Sequence, residues 1–475
     1  MRYRLELKLI TVMMSIVLMV SNNLNCFAAG KTIEAFKNNN YKGTSDCEEM
    51  INGVKGQDSS YTSAFKGPNN SISLSDFTGK TKAIKYWASH GSNAGKLWGN
   101  SKVSIDIMRI NNFTWSGSNL EFVFLAACNQ LDGANKNPRA KYAKAMLGNN
   151  AVRVICGYHE SAPQAGAHHD AAVVRNFIAK AKTGESVKSS WILANQIYGS
   201  SNYCVLTHSG NVQYSRFEGF PGTTYNRPGV RSKSILRFSS ANQGGTQQLF
   251  SSLRTSIQNM DIPDYSLKAM DKNITINPDT ETTVLKLDNY ITTQNGEISD
   301  KEISISEQQA IQLAQNWIDN IYLGVDLSDF NNAEFSINPI VMAEVDLDGN
   351  VDNEVETCVA YDISFKGTYN GIPIEGEKYC AVVDSSGIIS SAVCHRDYEI
   401  VERKDISNVS KNIKLDVLES QLEENGFNID TIVENPTIVF TDDDKDGIYD
   451  PSIKLKLANE DIVNFNCISN KVSID

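Results

Sequence analysis

The residues best suited to chemistry fall in two short strings. One is Trp87-Ala88-Ser89-His90-Gly91, the other Phe124-Leu125-Ala126-Ala127-Cys128. Each is an apolar run that stops at a base or a nucleophile. A cysteine thiolate attacks a carbonyl carbon, and a histidine takes up and returns the proton, so the pair suits acyl transfer. Gly91 adds a backbone N–H that no side chain shields. With the N–H of Cys128 it would form an oxyanion hole, each donor worth about 3 kcal/mol when preorganised. His90 and Cys128 lie 38 positions apart, so they meet only if two strand ends share a rim. The plainer alternative is a small core cysteine and a His-Gly turn.

A second group of residues is acidic. Asp442, Asp444 and Asp446 occupy positions 1, 3 and 5 of an EF-hand-like calcium loop, Gly447 the sharp turn at position 6, and Asp450 position 9. Position 12 is Ile453 instead of a bidentate Glu, so the expectation is one structural calcium ion in a loop of another type. The alternative is a hairpin turn in which Asp and Gly serve only the backbone. The stretch 346–354, with Asp346, Asp348, Asp352 and Glu354, is a looser version. His168-His169-Asp170 is a weaker metal candidate: neighbours on a helix point about 100° apart, and Asp170 suits a helix's first turn. Glu160 and Asp132 are candidates for selecting a basic substrate side chain. His159 and His208 read as pocket rim or surface, and Trp191 as core.

The elements that must position these residues follow from apolar patterning. Residues 82–89, 120–127 and 151–158 read as buried strands, and 138–147, 168–181 and 186–198 as helices. Continuous apolar strands separated by helices predict an α/β fold whose mainly parallel sheet is covered on both faces. Ligands in such sheets bind beyond the carboxyl ends of the strands, where His90 and Cys128 sit. Residues 241–300 are polar and weakly periodic, a connecting segment with one helix at 246–259. Residues 303–320 form an amphipathic helix with Ser304 and Ser306 as caps. Strands at 357–365, 377–384 and 388–395 follow, then a helix at 414–424 and strands at 437–440, 453–457 and 462–468. These predict small α+β modules over 301–402 and 410–475.

The Ser-His-Gly and Ala-Cys strings, in this order and on these elements, resemble the dyad of the caspase-like cysteine peptidases, the group of caspases, legumains, gingipains, clostripain and separase. The resemblance spans about residues 40–240, and the Ala-Cys-Asn run is also similar to a bacterial branch of that fold. It implies a three-layer α/β/α caspase-like sandwich over 31–240 and peptide-bond hydrolysis through an acyl-enzyme, with no cofactor in catalysis. It implies Cys128 as nucleophile, His90 as general base and Gly91 as an oxyanion donor. In the acidic half, residues 306–317, Tyr361-Asp362-Ile363-Ser364-Phe365, Asn370-Gly371-Ile372-Pro373-Ile374 and Val382-Val383-Asp384 resemble a PepSY-type module. Related modules occur in propeptides of secreted thermolysin-type peptidases, which implies a folding or inhibitory partner for a peptidase.

Composition sets the frame. At 475 residues, 41% hydrophobic and 21% charged, wholesale disorder, collagen and a multi-span membrane protein are excluded. The net charge of −12 averages two unlike parts: residues 31–240 carry about +12 and residues 241–475 about −26. Arg2, Arg4 and Lys8 precede an apolar run over 9–20, and Cys26-Phe27-Ala28-Ala29 follows. This pattern predicts a signal peptide over 1–29, cleaved after Ala28 or Ala29. The run is too short to span a bilayer, and no later stretch is long enough, so no transmembrane anchor is expected. Removal of Cys26 leaves eight cysteines, an even count but too sparse for a disulfide scaffold. Export to the cell surface or beyond argues against nucleic acid as partner. The leading expectation is a secreted cysteine endopeptidase acting on protein or peptide, its acidic half docked on the basic half as a regulatory or localising region. The alternative is a catalytically inactive caspase-like protein attached to anionic cell-wall polymer, with the acidic half as a calcium-stabilised spacer.

Overall fold

A computed structural model describes residues 31–37, 45–67, 74–78, 83–92, 95–98, 104–110, 115, 120–134, 136–148, 151–163, 169–196, 202–210, 214–222, 234–241, 260–280, 282–287, 290–325, 327–402, 415–424, 436–442, 446–456, 462–469 and 471–474. The expected signal peptide and the expected helix at 246–259 lie outside the described residues.

The basic half contains β1 (Thr32–Lys37), α1 (Ser45–Gln57), β2 (Thr62–Lys66), α2 (Leu74–Thr78), β3 (Ile84–Ala88), a small ribbon of β4 (Gly91–Ser92), β5 (Lys96–Trp98) and β6 (Ser104–Asp106), then β7 (Phe122–Ala126), α3 (Pro138–Gly148), β8 (Val154–Tyr158), α4 (His169–Lys182), α5 (Val187–Ala194), β9 (Tyr203–His208) and β10 (Ile235–Ser240). Strands β3, β7 and β8 are buried at every position, as their unbroken apolar runs require. The order β2-β1-β3-β7-β8 is parallel throughout. Side chains alternate across the sheet: Tyr86, Phe124 and Cys156 face a core shared with α1, α4 and α5, while Trp87, Leu125 and Ile155 face a second core shared with α3.

The second half contains β11 (Tyr265–Met270), β12 (Thr275–Ile276), β13 (Thr283–Leu287), β14 (Tyr290–Gln294), α6 (Glu307–Ile321), β15 (Tyr322–Leu323), β16 (Phe330–Glu344), β17 (Thr357–Tyr369), β18 (Ile372–Asp384), β19 (Gly387–Cys394), β20 (Asp397–Glu402), α7 (Leu415–Glu424), β21 (Thr437–Thr441), β22 (Ile448–Lys456), β23 (Ile462–Asn466) and β24 (Lys471–Ile474). Helix α6 starts at a capping box: Ser306 Oγ accepts from Gln309 N, and the Gln309 side chain accepts from Ser306 N. Its apolar stripe, Ala310, Ala314 and Ile318, packs on Tyr379, Ala381 and Val393 of β18 and β19.

This architecture corrects the expected three-layer α/β/α sandwich with a mainly parallel sheet. Among the described residues strand accounts for 43% and helix 26%, and nineteen strands join in one mixed sheet. Beyond β8, every neighbouring pair in it is antiparallel except β18–β21. The sheet does not stop near residue 240. β10 is buried along nearly its whole length, and its outer edge needs a hydrogen-bonding partner. β16 supplies it, pairing Leu236 with Glu344 through Ser240 with Ile340. The stretch 241–300, polar in sequence, holds four strands, and β14 is buried at all five positions.

Charged contacts cross between the halves. Glu354 lies between Arg139 (2.7 Å) and Arg237 (3.3 Å), and Glu356 pairs with Arg237 at 2.6 Å. Asn137 Nδ2 donates to Gly349 O at 3.0 Å, and Arg216 pairs with Glu297 at 2.9 Å. Lys180 is wholly enclosed, donating to Thr292 Oγ1 (3.1 Å), Gln294 Oε1 (3.3 Å) and Ser390 Oγ (3.1 Å). No helix among the described residues is long and apolar enough to cross a membrane.

Candidate active site

Two parallel strands fix the relation between His90 and Cys128. β3 and β7 pair in register from Ile84 with Phe122 to Ala88 with Ala126, a constant offset of 38. That offset is also the one separating His90 from Cys128, each two residues beyond the last paired position of its strand, Ala88 and Ala126. Parallel neighbours lie about 4.8 Å apart, and residues two along share a face. The last rung of this ladder is Ser89 N donating to Ala126 O at 3.3 Å.

The His90 side of the candidate site is built from strand and ribbon. Trp87 Nε1 donates to Ser89 Oγ at 3.2 Å, and Ser89 Oγ donates to His90 O at 2.9 Å. Trp98 N on β5 donates to the same His90 carbonyl at 3.2 Å. Gly91 and Leu97 are therefore the non-hydrogen-bonded pair of this antiparallel ribbon, and the Gly91 N–H turns out of it. The His90 side chain is exposed while Ser89 beneath it is buried. Among the described residues, Ser89 is thus a support that the sequence string contains but that chemical type alone does not single out.

On the Cys128 side, β7 breaks into a tight turn over residues 127–131. Asn129 adopts φ 58°, a left-handed conformation that asparagine tolerates. Asn129 N donates to Glu160 O (2.8 Å) and Leu131 N to Tyr158 O (2.9 Å), which pins the turn on the end of β8. Cys128 is half-buried, and its Sγ accepts the Ala162 N–H at 3.3 Å. The two sides touch at Gly91: a Cβ there would lie 2.9 Å from both the amide nitrogen and the carbonyl carbon of Cys128, and closer still to its carbonyl oxygen. Only glycine fits, because every obstructing atom is backbone.

The other candidates have other partners, apart from Glu160, whose carbonyl holds the Cys128 turn. His159 is buried with Nε2 at 3.2 Å from Ser240 Oγ; burial, then Arg237 and Arg139, lowers its pKa to about 4. His208 lies 3.0 Å from Val152 O, and burial lowers its pKa against that hydrogen bond. Asp132 accepts from Ala134 N at 2.8 Å, and Glu160 contributes its carbonyl to the Cys128 turn. Trp191 is core, with Nε1 on Gly157 O. His168 lies outside the described residues; His169 opens α4, and buried Asp170 accepts from Ala171 N at 2.7 Å.

In the acidic loop, Asp442 accepts from the amides of Asp446 and Gly447, both at 3.0 Å, and Asp446 accepts from Ile448 N at 2.9 Å. Asp450 accepts from Ser266 and Asn466. Asp444 lies outside the described residues. Glu354 of the looser stretch is engaged by the two arginines named above. All eight cysteines from Cys47 to Cys467 are free thiols.

A family model described as a domain of unknown function, DUF6345, matches residues 26–226. That span contains His90, Gly91 and Cys128. No curated protein matches the chain.

Proposed function

We propose that the protein is a cysteine peptidase in which Cys128 is the nucleophile and His90 the proton carrier. The observation that carries the reading is that β3 and β7, parallel neighbours in register from Ile84–Phe122 to Ala88–Ala126, end on one edge of the sheet two residues before His90 and Cys128. The Ala162 amide on Cys128 Sγ and the glycine-only contact at Gly91 support it further.

In this reading the Cys128 thiolate attacks the scissile carbonyl carbon while His90 holds the thiol proton. The Gly91 and Cys128 amides take the charge on the carbonyl oxygen. Collapse breaks the C–N bond, His90 delivers its proton to the departing amine, and a thioester remains on Cys128. Water, deprotonated by His90, then attacks the thioester, releasing the acid and restoring the thiol. The chain's own dyad supplies nucleophile and proton carrier. The acidic half acts as a regulatory or localising region held by Glu354, Glu356 and Glu297 on three arginines. Peptide as the substrate is what the resemblance to the caspase-like peptidases implies, and the N-terminal pattern supports export.

The test is hydrolysis of unfolded protein substrates under reducing conditions with calcium present. Wild type should cleave, and Cys128→Ala and His90→Ala should not. Equal cleavage by Cys128→Ala, or none by wild type, rejects the reading.

A further inference from the structure

We propose that Gln130 is a positioning residue for the Cys128–His90 site; the proposal rests on the peptidase reading above. Gln130 is two residues past the nucleophile and completely buried. Its Nε2 donates to Cys128 O at 3.2 Å and to Lys96 O at 3.4 Å. Its Oε1 accepts from the Tyr142 hydroxyl at 3.2 Å, and Tyr142 is itself wholly buried on α3. Both amide hydrogens and one acceptor site are thus used.

The partners give this amide a specific task. Cys128 O belongs to the nucleophile's own peptide unit and is the atom pressed against Gly91. Lys96 O belongs to β5, and two residues on, Trp98 N holds the His90 carbonyl. One side chain therefore ties the nucleophile turn to the ribbon that anchors the base, and α3 anchors that side chain through Tyr142. The alternative is a buried glutamine that merely satisfies nearby carbonyls. A filler of that kind contributes to stability, whereas a clamp between the two halves of a dyad also sets reactivity, since about 1 Å of misplacement costs on the order of a hundredfold in rate.

The experiment compares full-length wild type, Gln130→Met and Tyr142→Phe. Gln130→Met keeps length and removes both donors. Tyr142→Phe keeps the donors and loosens their anchor. The readouts are kcat and KM on an unfolded protein substrate, the rate of iodoacetamide alkylation of Cys128 at pH 7 by peptide mapping, and Tm. Gln130→Met should lower kcat at least tenfold with KM within twofold, and change Cys128 alkylation at least fivefold while Cys358, partly exposed like Cys128, is unchanged. Tyr142→Phe should move both in the same direction by less. A lowered Tm with kcat and Cys128 alkylation within twofold of wild type overturns the clamp. If Gln130→Met does not fold, Tyr142→Phe decides: lowered kcat at unchanged Tm supports the clamp, and unchanged kcat overturns it. A wild type without hydrolysis defeats the peptidase reading and the clamp with it, whereas an active wild type with an unaffected Gln130→Met defeats the clamp alone.

Discussion

Gly91→Ala tests the geometry of the site with a single methyl. The new carbon would stand 2.9 Å from the Cys128 amide nitrogen and carbonyl carbon, where ordinary contact begins at 3.4 Å. Relief at those two atoms needs about 0.5 Å, and the carbonyl oxygen, closer still, raises the displacement to the order of 1 Å. No rotamer change can absorb it, because every obstructing atom is backbone. The displacement must open the gap between β4 and the Cys128 turn, which separates thiol from base. Misplacement of about 1 Å costs roughly a hundredfold in rate, or about 2.7 kcal/mol of barrier, and overpacking costs about 1–3 kcal/mol of stability. The assay is kcat with Cys128 alkylation and Tm, beside Gly56→Ala as control. Gly56 is an exposed helical glycine whose added Cβ meets nothing within 4 Å, so that variant should keep full activity and gain about 0.5–1 kcal/mol. If Gly91→Ala retains turnover and alkylation within twofold of wild type, the two strand ends are not in the contact described.

Three further outcomes follow from groups outside the site. Glu354 is 2% exposed between two buried arginines, so Glu354→Gln should cost about 3–5 kcal/mol in urea unfolding; a loss under 1 kcal/mol would mean that the ion cluster does not hold the halves together. Burial works to lower His395, but hydrogen bonds to Asp329 and Glu377 outweigh it and raise its pKa above 6.5. Its stabilisation is then complete below pH 6.5 and lost as pH rises through the raised folded value, so Tm should fall over that window; His395→Gln should flatten the fall, and an unchanged slope would refute the pairing. Burial lowers Lys180 to about 8 against an opposing pull from Glu185, so the unfolded chain binds the extra proton between about pH 8 and 10.5. Stability should rise with pH there by up to about 1.4 kcal/mol per unit, and urea titrations at pH 8 and 10 should show a smaller rise in Lys180→Met.

Much of the candidate site is legible in sequence because His90 and Cys128 each follow an unbroken apolar strand, and the two strands are parallel neighbours. His90 and Cys128 need no pairing information beyond that. Gln130 and Ala162 are not legible: one acts through its side-chain amide and the other through its backbone, and neither type announces chemistry. The parallel strands and α3, α4 and α6 were readable from periodicity and caps. The mixed sheet was not, because its decisive contact pairs β10 with β16 about a hundred residues further on, and nothing local encodes that partner. β14 shows how the polar stretch 241–300 comes to hold buried strand. Its Thr292, Thr293 and Gln294 look like loop residues, yet they are buried because Lys180, Ser391 and Gly296 satisfy them.

The most direct test of the account is mass spectrometry of the quenched reaction with an unfolded protein substrate under reducing conditions. A thioester between a substrate carboxyl fragment and Cys128 should accumulate in wild type, persist longer in Gly91→Ala and be absent from Cys128→Ala. An adduct on another cysteine, or hydrolysis that proceeds unchanged in Cys128→Ala, would contradict the assignment of Cys128 as the nucleophile.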